Sequence, residues 1–177
     1  MTVTDALDAP IWKDDAFRAD DWTRYPADGE LPRGLPLIVP LAAFTAEAER
    51  FLAHDGPLAV EVGAGEPVQS LEPHVGHLSM IAVAFPKFHD GRGYSAARIL
   101  RERYGFGGEL RAVGDVLADQ IPLMRRCGIG SFEVRNPATR AALREGRLAE
   151  MHHFYQPIPN APEVPAGTRP WLRQPAG

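Results

Sequence analysis

Cysteine is nearly absent from this chain, since of 177 residues only Cys127 carries a thiol. One thiol excludes an internal disulfide and leaves no thiolate cluster for zinc or an iron–sulfur group, so a reducing, cytoplasmic setting is expected. A basic excess is also missing. A net charge of −4 and an isoelectric point near 5.9 argue against nucleic acid as the main partner, because such proteins need cations to neutralise phosphates. No apolar run approaches the length needed to cross a bilayer, and the N-terminal MTVTDALDAPIWKDD has neither a basic start nor an apolar h-region. Export and membrane insertion are therefore not expected. The chain has no G-x-S-x-G elbow and no P-loop, so serine-hydrolase and NTPase readings find no support. What remains is a globular composition, 45% hydrophobic and 24% charged, that suits one domain with one core.

Residues 1–34 are rich in Asp, Pro and Gly, with Trp12 and Trp22 spaced through them, and read as an N-terminal arm with one or two short strands. From Leu35 the pattern becomes regular. Apolar runs of strand length, LPLIVPL, PLAVEVG, MIAVAFP, ELRAVG and SFEVR, alternate with helix-like segments, which predicts βα units and a mostly parallel sheet over 35–156. In the first crossover Phe44, Ala48, Phe51 and Leu52 share a helical face, and Gly56 supplies a stop. The second is broken by Pro67, Pro73 and Gly76 and should hold one short helix and a loop. The third, YSAARILRERYG, aligns Ala97, Leu100 and Tyr104 inward with Arg98, Arg101 and Glu102 outward. Pro122 should kink the fourth helix or delay its start to Asp119, whereas Asn136 and Pro137 make a good N-cap and first position for the fifth. Residues 157–177 are proline-rich and read as an extended tail. The fold class expected is α/β, either an open doubly wound sheet or a half-barrel. In both, right-handed crossovers bring the loops after the strands to one edge, where ligands bind.

At that edge the chemistry gathers in FPKFHDGRGYSAARIL. Lys87 and Arg92, with Gly93 and Ser95 at a helix start, could hold an anion, joined by Arg111 and Arg135. Asp90, Asp115 or His89 could move protons if partly buried. The alternative is that Asp90, Ser95 and Asp115 cap helices while Lys87 and Arg92 form a solvated surface pair. Gly91, Gly93 and Ala96 also fit G-x-G-x-x-G/A, but the five residues PKFHD separate the strand from Gly91, whereas a dinucleotide turn follows its strand directly. His74 and His77 flank Gly76, and His152 and His153 are adjacent, so neither pair makes a metal face and no metal is expected. Cys127 reads as a buried, inert thiol.

The block from Phe85 to Val134, with DDWTRY, LPLIVPL and FYQP outside it, resembles the bacterial domain-of-unknown-function 934 family over residues 12–157. The residues that carry the resemblance are Phe85, Pro86, Lys87, Phe88 and Asp90 to Ser95, then Arg111, Gly114, Asp115, Asp119 and Gln120, then Arg126, Cys127 and Gly128. His89 and Pro122 depart from the pattern. The resemblance implies an auxiliary, oxidoreductase-linked role in assimilatory sulfate and sulfite reduction, or a non-catalytic subunit that docks on sulfite reductase or phosphoadenylyl-sulfate reductase. It names no cofactor. Sulfite reduction itself needs six electrons and a metallocofactor, for which one cysteine and no evident ligand set are insufficient. A small anionic ligand, sulfite, sulfate or an adenylyl sulfate, is expected, held by Lys87, Arg92, Gly93, Ser95, Arg111 and Arg135, with Asp90 and Asp115 orienting it or moving protons.

Overall fold

A computed structural model describes residues 10–26, 30–87 and 90–148. The proline-rich segment 157–177, the FYQP motif, His89, His152 and His153 lie outside the described residues. The five expected strands are present: β4 (Leu37–Pro40), β5 (Leu58–Val62), β6 (Met80–Phe85), β7 (Glu109–Gly114) and β8 (Ser131–Glu133). They pair in parallel, each with its neighbour in sequence. That order decides between the two architectures. A doubly wound sheet reverses its strand order part-way and puts helices on both faces. Here the order never reverses, so right-handed crossovers stack every helix on one face and the sheet curls into a half-barrel.

The packing agrees with this geometry. Alternate strand residues, among them Leu37, Val39, Val60, Val62, Ile81, Val83, Phe85, Leu110, Ala112 and Phe132, join one apolar cluster on the helix-bearing face. Helix α1 (Leu41–Ala46) adds Phe44 and α2 (Ala48–Leu52) adds Phe51. The proline-interrupted crossover forms a 3₁₀ stretch, Val68–His77, that adds Val68 and Leu71. Helix α3 (Arg92–Arg98) adds Ala97, and α4 (Ile121–Arg126) and α5 (Pro137–Arg144) add Ile121, Met124 and Leu143. Pro122 delays the start of α4 to Ile121, two residues beyond Asp119, because the first turn of a helix tolerates a missing N–H.

Residues 11–24 belong to the same sheet. Strands β1 (Ile11–Lys13) and β2 (Ala16–Arg18) form a hairpin, and β1 pairs antiparallel with β8. Asp14 and Asp15 both have positive φ, which gives the two-residue turn the twist its strands require. Strand β3 (Thr23–Arg24) pairs in parallel with β4, at the opposite edge. Only residues 19–22 connect the two edges. Five backbone steps reach about 17 Å, whereas the outer strands of a flat eight-stranded sheet stand about 33 Å apart. The connector therefore requires the sheet to curl. It runs across the concave face as a strap, with Trp22 packed on the row formed by Ile38, Ala59 and Met80.

Candidate functional site

The strand face away from the helices is mixed: beside the apolar row of Ile38, Ala59 and Met80 it carries charged residues where a closed barrel would carry branched apolar ones. Register places Glu61, Ala82, Arg111, Ser131 and Lys13 in one row across β5, β6, β7, β8 and β1. Glu109 lies two residues before Arg111 on β7 and Glu133 two residues after Ser131 on β8, so period-2 alternation turns both to the same face. The small side chains Ala59, Ala82 and Ala84 leave room for the long ones.

Two ionic chains cross this concavity. In the first, Lys13 Nζ donates to Glu109 Oε2 at 2.6 Å, while Glu109 Oε1 accepts from Arg111 Nη2 at 2.9 Å and from Ser131 Oγ at 2.7 Å. Arg111 Nη1 then donates to Asp20 on the strap at 2.7 Å. Burial alone would raise the pKa of Glu109, but the donors Lys13, Ser131 and Arg111 outweigh it and hold its carboxyl below the usual glutamate value. In the second, Arg24 donates to Glu61 and, through Nη2, to Glu133 at 2.9 Å, and Arg135 Nε donates to Glu133 Oε1 at 2.7 Å. Glu61 and Glu133 lie three strands apart, about 14 Å between backbones in a flat sheet, yet one guanidinium serves both. Burial disfavours the charge on Arg24, but the carboxylates of Glu61 and Glu133 more than restore it and raise its pKa.

The rim after the strands holds the rest of the expected constellation. Lys87 is exposed just beyond β6 and makes no ion pair with a described residue. Arg92 clamps Asp90 with two hydrogen bonds, Nε to Oδ1 at 2.9 Å and Nη2 to Oδ2 at 2.6 Å, and its own backbone N–H donates to Oδ1 at 3.2 Å. Asp90 thus holds the start of α3 and aims the guanidinium. Arg92, Gly93 and Ser95 line a cavity of about 300 Å³ that the loop Gly63–Glu66 and Gln69 close on the other side. Gly93 is there for packing as well: a Cβ on it would stand 2.6 Å from the Phe85 ring. Asp115 is exposed at the end of β7, where its backbone N–H donates to the Phe85 carbonyl at 2.7 Å.

One of the expected anion-binding cations sits elsewhere than an open rim. Arg111 is buried on the concave face, 4% exposed, between Glu109 and Asp20, whereas Arg135, just past β8, pairs with Glu133 while its side chain stays 71% exposed. In the dinucleotide pattern the central Gly93 makes its close approach to the Phe85 ring. Cys127 is buried, and burial pushes its thiol pKa up against the pull of Arg98 and Arg126. His74 packs edge-on against Phe44, with ring centres 5.4 Å apart. Among the described residues no three His, Cys, Asp or Glu side chains are grouped to hold a metal ion, and no helix is long and apolar enough to cross a membrane.

Residues 59–165 match the family described as bacterial protein of unknown function (DUF934). The chain belongs to the DUF934 family. No curated protein matches it. Within the matched span lie the rim cavity of this DUF934 protein and Glu61, Glu109, Arg111, Ser131 and Glu133. Lys13, Asp20 and Arg24, which complete the ionic chains, precede it.

Proposed function

We propose that this DUF934 protein is an auxiliary protein of assimilatory sulfate and sulfite reduction, oxidoreductase-linked, that holds a small anionic sulfur intermediate at the strand C-terminal edge. The observation that carries the reading is the rim cavity, which brings Arg92, Gly93 and Ser95 together beside a glycine loop. Its volume of about 300 Å³ lies at the small end of ligand sites and exceeds what one bare oxyanion fills. A sulfur group carried on a larger body, as in an adenylyl sulfate, suits it better. Arg92, fixed in direction by Asp90, is the recognition group, because a guanidinium presents two parallel donors to an oxyanion. Lys87 adds long-range attraction, and Asp115, exposed at the end of β7, is the carboxylate for orienting a ligand or moving a proton. Calorimetry with sulfite, sulfate and adenylyl sulfate tests this. Wild-type protein should bind one of them and the Arg92→Ala variant should lose at least tenfold in affinity; no binding by the wild type removes the proposal.

A second reading is a non-catalytic subunit that docks on sulfite reductase or phosphoadenylyl-sulfate reductase. It is favoured by the concave face, which the strap and two charge-matched chains occupy. Affinity capture from cells grown on sulfate separates the two: recovery of a reductase in constant proportion supports docking, and its absence counts against it.

A further inference from the structure

We propose that Arg111 forms a second oxyanion site, distinct from the rim cavity, and that the strap carboxylate Asp20 occupies it as a built-in competitor. The strands themselves leave this position short of negative charge. In the chain Lys13, Glu109 and Arg111, two cations share one carboxylate, whereas in the other chain the two cations Arg24 and Arg135 face two carboxylates, Glu61 and Glu133. Asp20 supplies the missing charge, and it does so from a four-residue connector rather than from the sheet. Glu109 takes Nε and Nη2 of Arg111, at 3.1 and 2.9 Å, so the Nη1 side of the guanidinium is the part left for Asp20, at 2.7 Å. The Arg111 side chain is only 5% exposed and is held at one end by a strand residue, so its donors are already aimed before any ligand arrives. A carboxylate bound there stands for any group with the same geometry: a sulfate, phosphate or sulfonate oxygen accepts from Nη1 as a carboxylate oxygen does. Asp20 is 22% exposed and Asp21 beside it is exposed, so solvent reaches the strap over the site. An incoming tetrahedral oxyanion replaces Asp20 on Arg111, the strap lifts, and the concave face opens.

The test uses the full chain and inorganic sulfate and phosphate as probes, with chloride at matched ionic strength as the control. Asp20→Asn keeps the shape of the strap and removes its charge, so this variant should bind sulfate or phosphate roughly tenfold or more tightly than wild type, a shift of about 1.4 kcal/mol. The gain should vanish in Asp20→Asn combined with Arg111→Gln and persist in Asp20→Asn combined with Arg92→Ala, which separates this site from the rim cavity. Should the Arg111 variant not fold, the side-chain Nε–H resonance of Arg111 in Asp20→Asn provides the second reading, since sulfate should move it and chloride should not. Equal oxyanion affinity in wild type and Asp20→Asn, or an unmoved Arg111 resonance at saturating sulfate, overturns the proposal. A gain lost on Arg92→Ala also overturns it, by assigning the binding to the rim.

Discussion

At the scale of single residues, two glycines of the GRGYSA stretch differ sharply. Gly93 sits in the first turn of α3, where any added Cβ meets the Phe85 ring at 2.6 and 2.7 Å, and Phe85 is 1% exposed with no room to retreat. Gly91 has nothing within 4 Å of the same position and a φ of −77°. Gly93→Ala should therefore cost about 1–3 kcal/mol by overpacking, while Gly91→Ala should stay within about 0.5 kcal/mol of wild type. Urea unfolding of both variants checks the pair, and equal stabilities would remove the packing role of Gly93. Glu109 gives a pH prediction. Its pKa is lowered in the folded state, so its ion pairs stabilise the fold above the unfolded value near 4.5 and that stability is lost as pH falls through the lower folded pKa. Glu109→Gln should be less stable at pH 7 and should lose less on acidification below about pH 4.5, read as a shallower slope of unfolding free energy against pH. Of the site residues, those in the rim loop were legible because Lys, Asp, Arg and Gly stood together in one turn. The concave chains also left a sign, one charge inside each of the apolar strands LAVEV and SFEV and two, at alternate positions, in ELRAV. Strands buried on both faces read as continuous apolar runs, so Glu61, Arg111 and Glu133 each mark a polar face. Their partners Lys13, Asp20 and Arg24 are 37 to 109 residues away in the chain, and spacing carries no information about them.

At the scale of elements, the strands were readable because five apolar runs are bounded by Gly and Pro, and the N-cap of α5 because Asn136 precedes Pro137. Asn136 Oδ1 accepts from the backbone N–H of Ala138 at 2.9 Å and of Thr139 at 3.1 Å. Asn136→Ala should cost about 1 kcal/mol in denaturant unfolding, and Asn136→Asp should recover most of it, because a carboxylate also caps and favours the helix N-terminus. The end of α3 was not readable. Residues Ile99–Arg103 widen into a π turn, and Arg101, expected to face outward, instead donates to the carbonyl of Phe106, to Gly108 at 2.7 Å and to Gly128 at 3.0 Å. The wider turn swings Arg101 toward the loop before β7 and the loop before β8, where its guanidinium satisfies carbonyls that no strand pairs. A 3.6-residue period cannot register that shift. Arg101→Lys should fail to restore the stability lost in Arg101→Ala, because one ammonium cannot reach carbonyls on two loops with the geometry of a planar fork. Full recovery by lysine in a thermal melt would mean that charge alone acts there.

At the scale of the whole molecule, the curl is a consequence of connectivity rather than of any local pattern. The α/β class followed from alternation, but half-barrel and doubly wound sheets share that alternation, and what separates them is the sequential strand order together with a strap too short to cross a flat sheet. Closure then depends on contacts between segments remote in the chain, of which the Arg24 bridge is the most demanding. Arg24 reaches from β3 at one edge to Glu133 on β8, whose side chain is only 6% exposed. Removing Arg24 leaves a covered carboxylate with Arg135 as its remaining cation and leaves Glu61 without a bridge to the far strands. Arg24→Ala should therefore cost about 1–3 kcal/mol. Arg98→Ala, which breaks an exposed i,i+4 pair with Glu102 on one helix, should cost no more than about 0.5 kcal/mol. The decisive measurement is where the loss appears. If Arg24 helps to hold the sheet curled, native-state hydrogen exchange of Arg24→Ala should accelerate at both edges together, in β1 and β2 as well as in β3, while the central strands β5 and β6 keep their protection. Acceleration confined to β3 would reduce Arg24 to a local anchor and leave Trp22 and the shortness of the strap to maintain the curl.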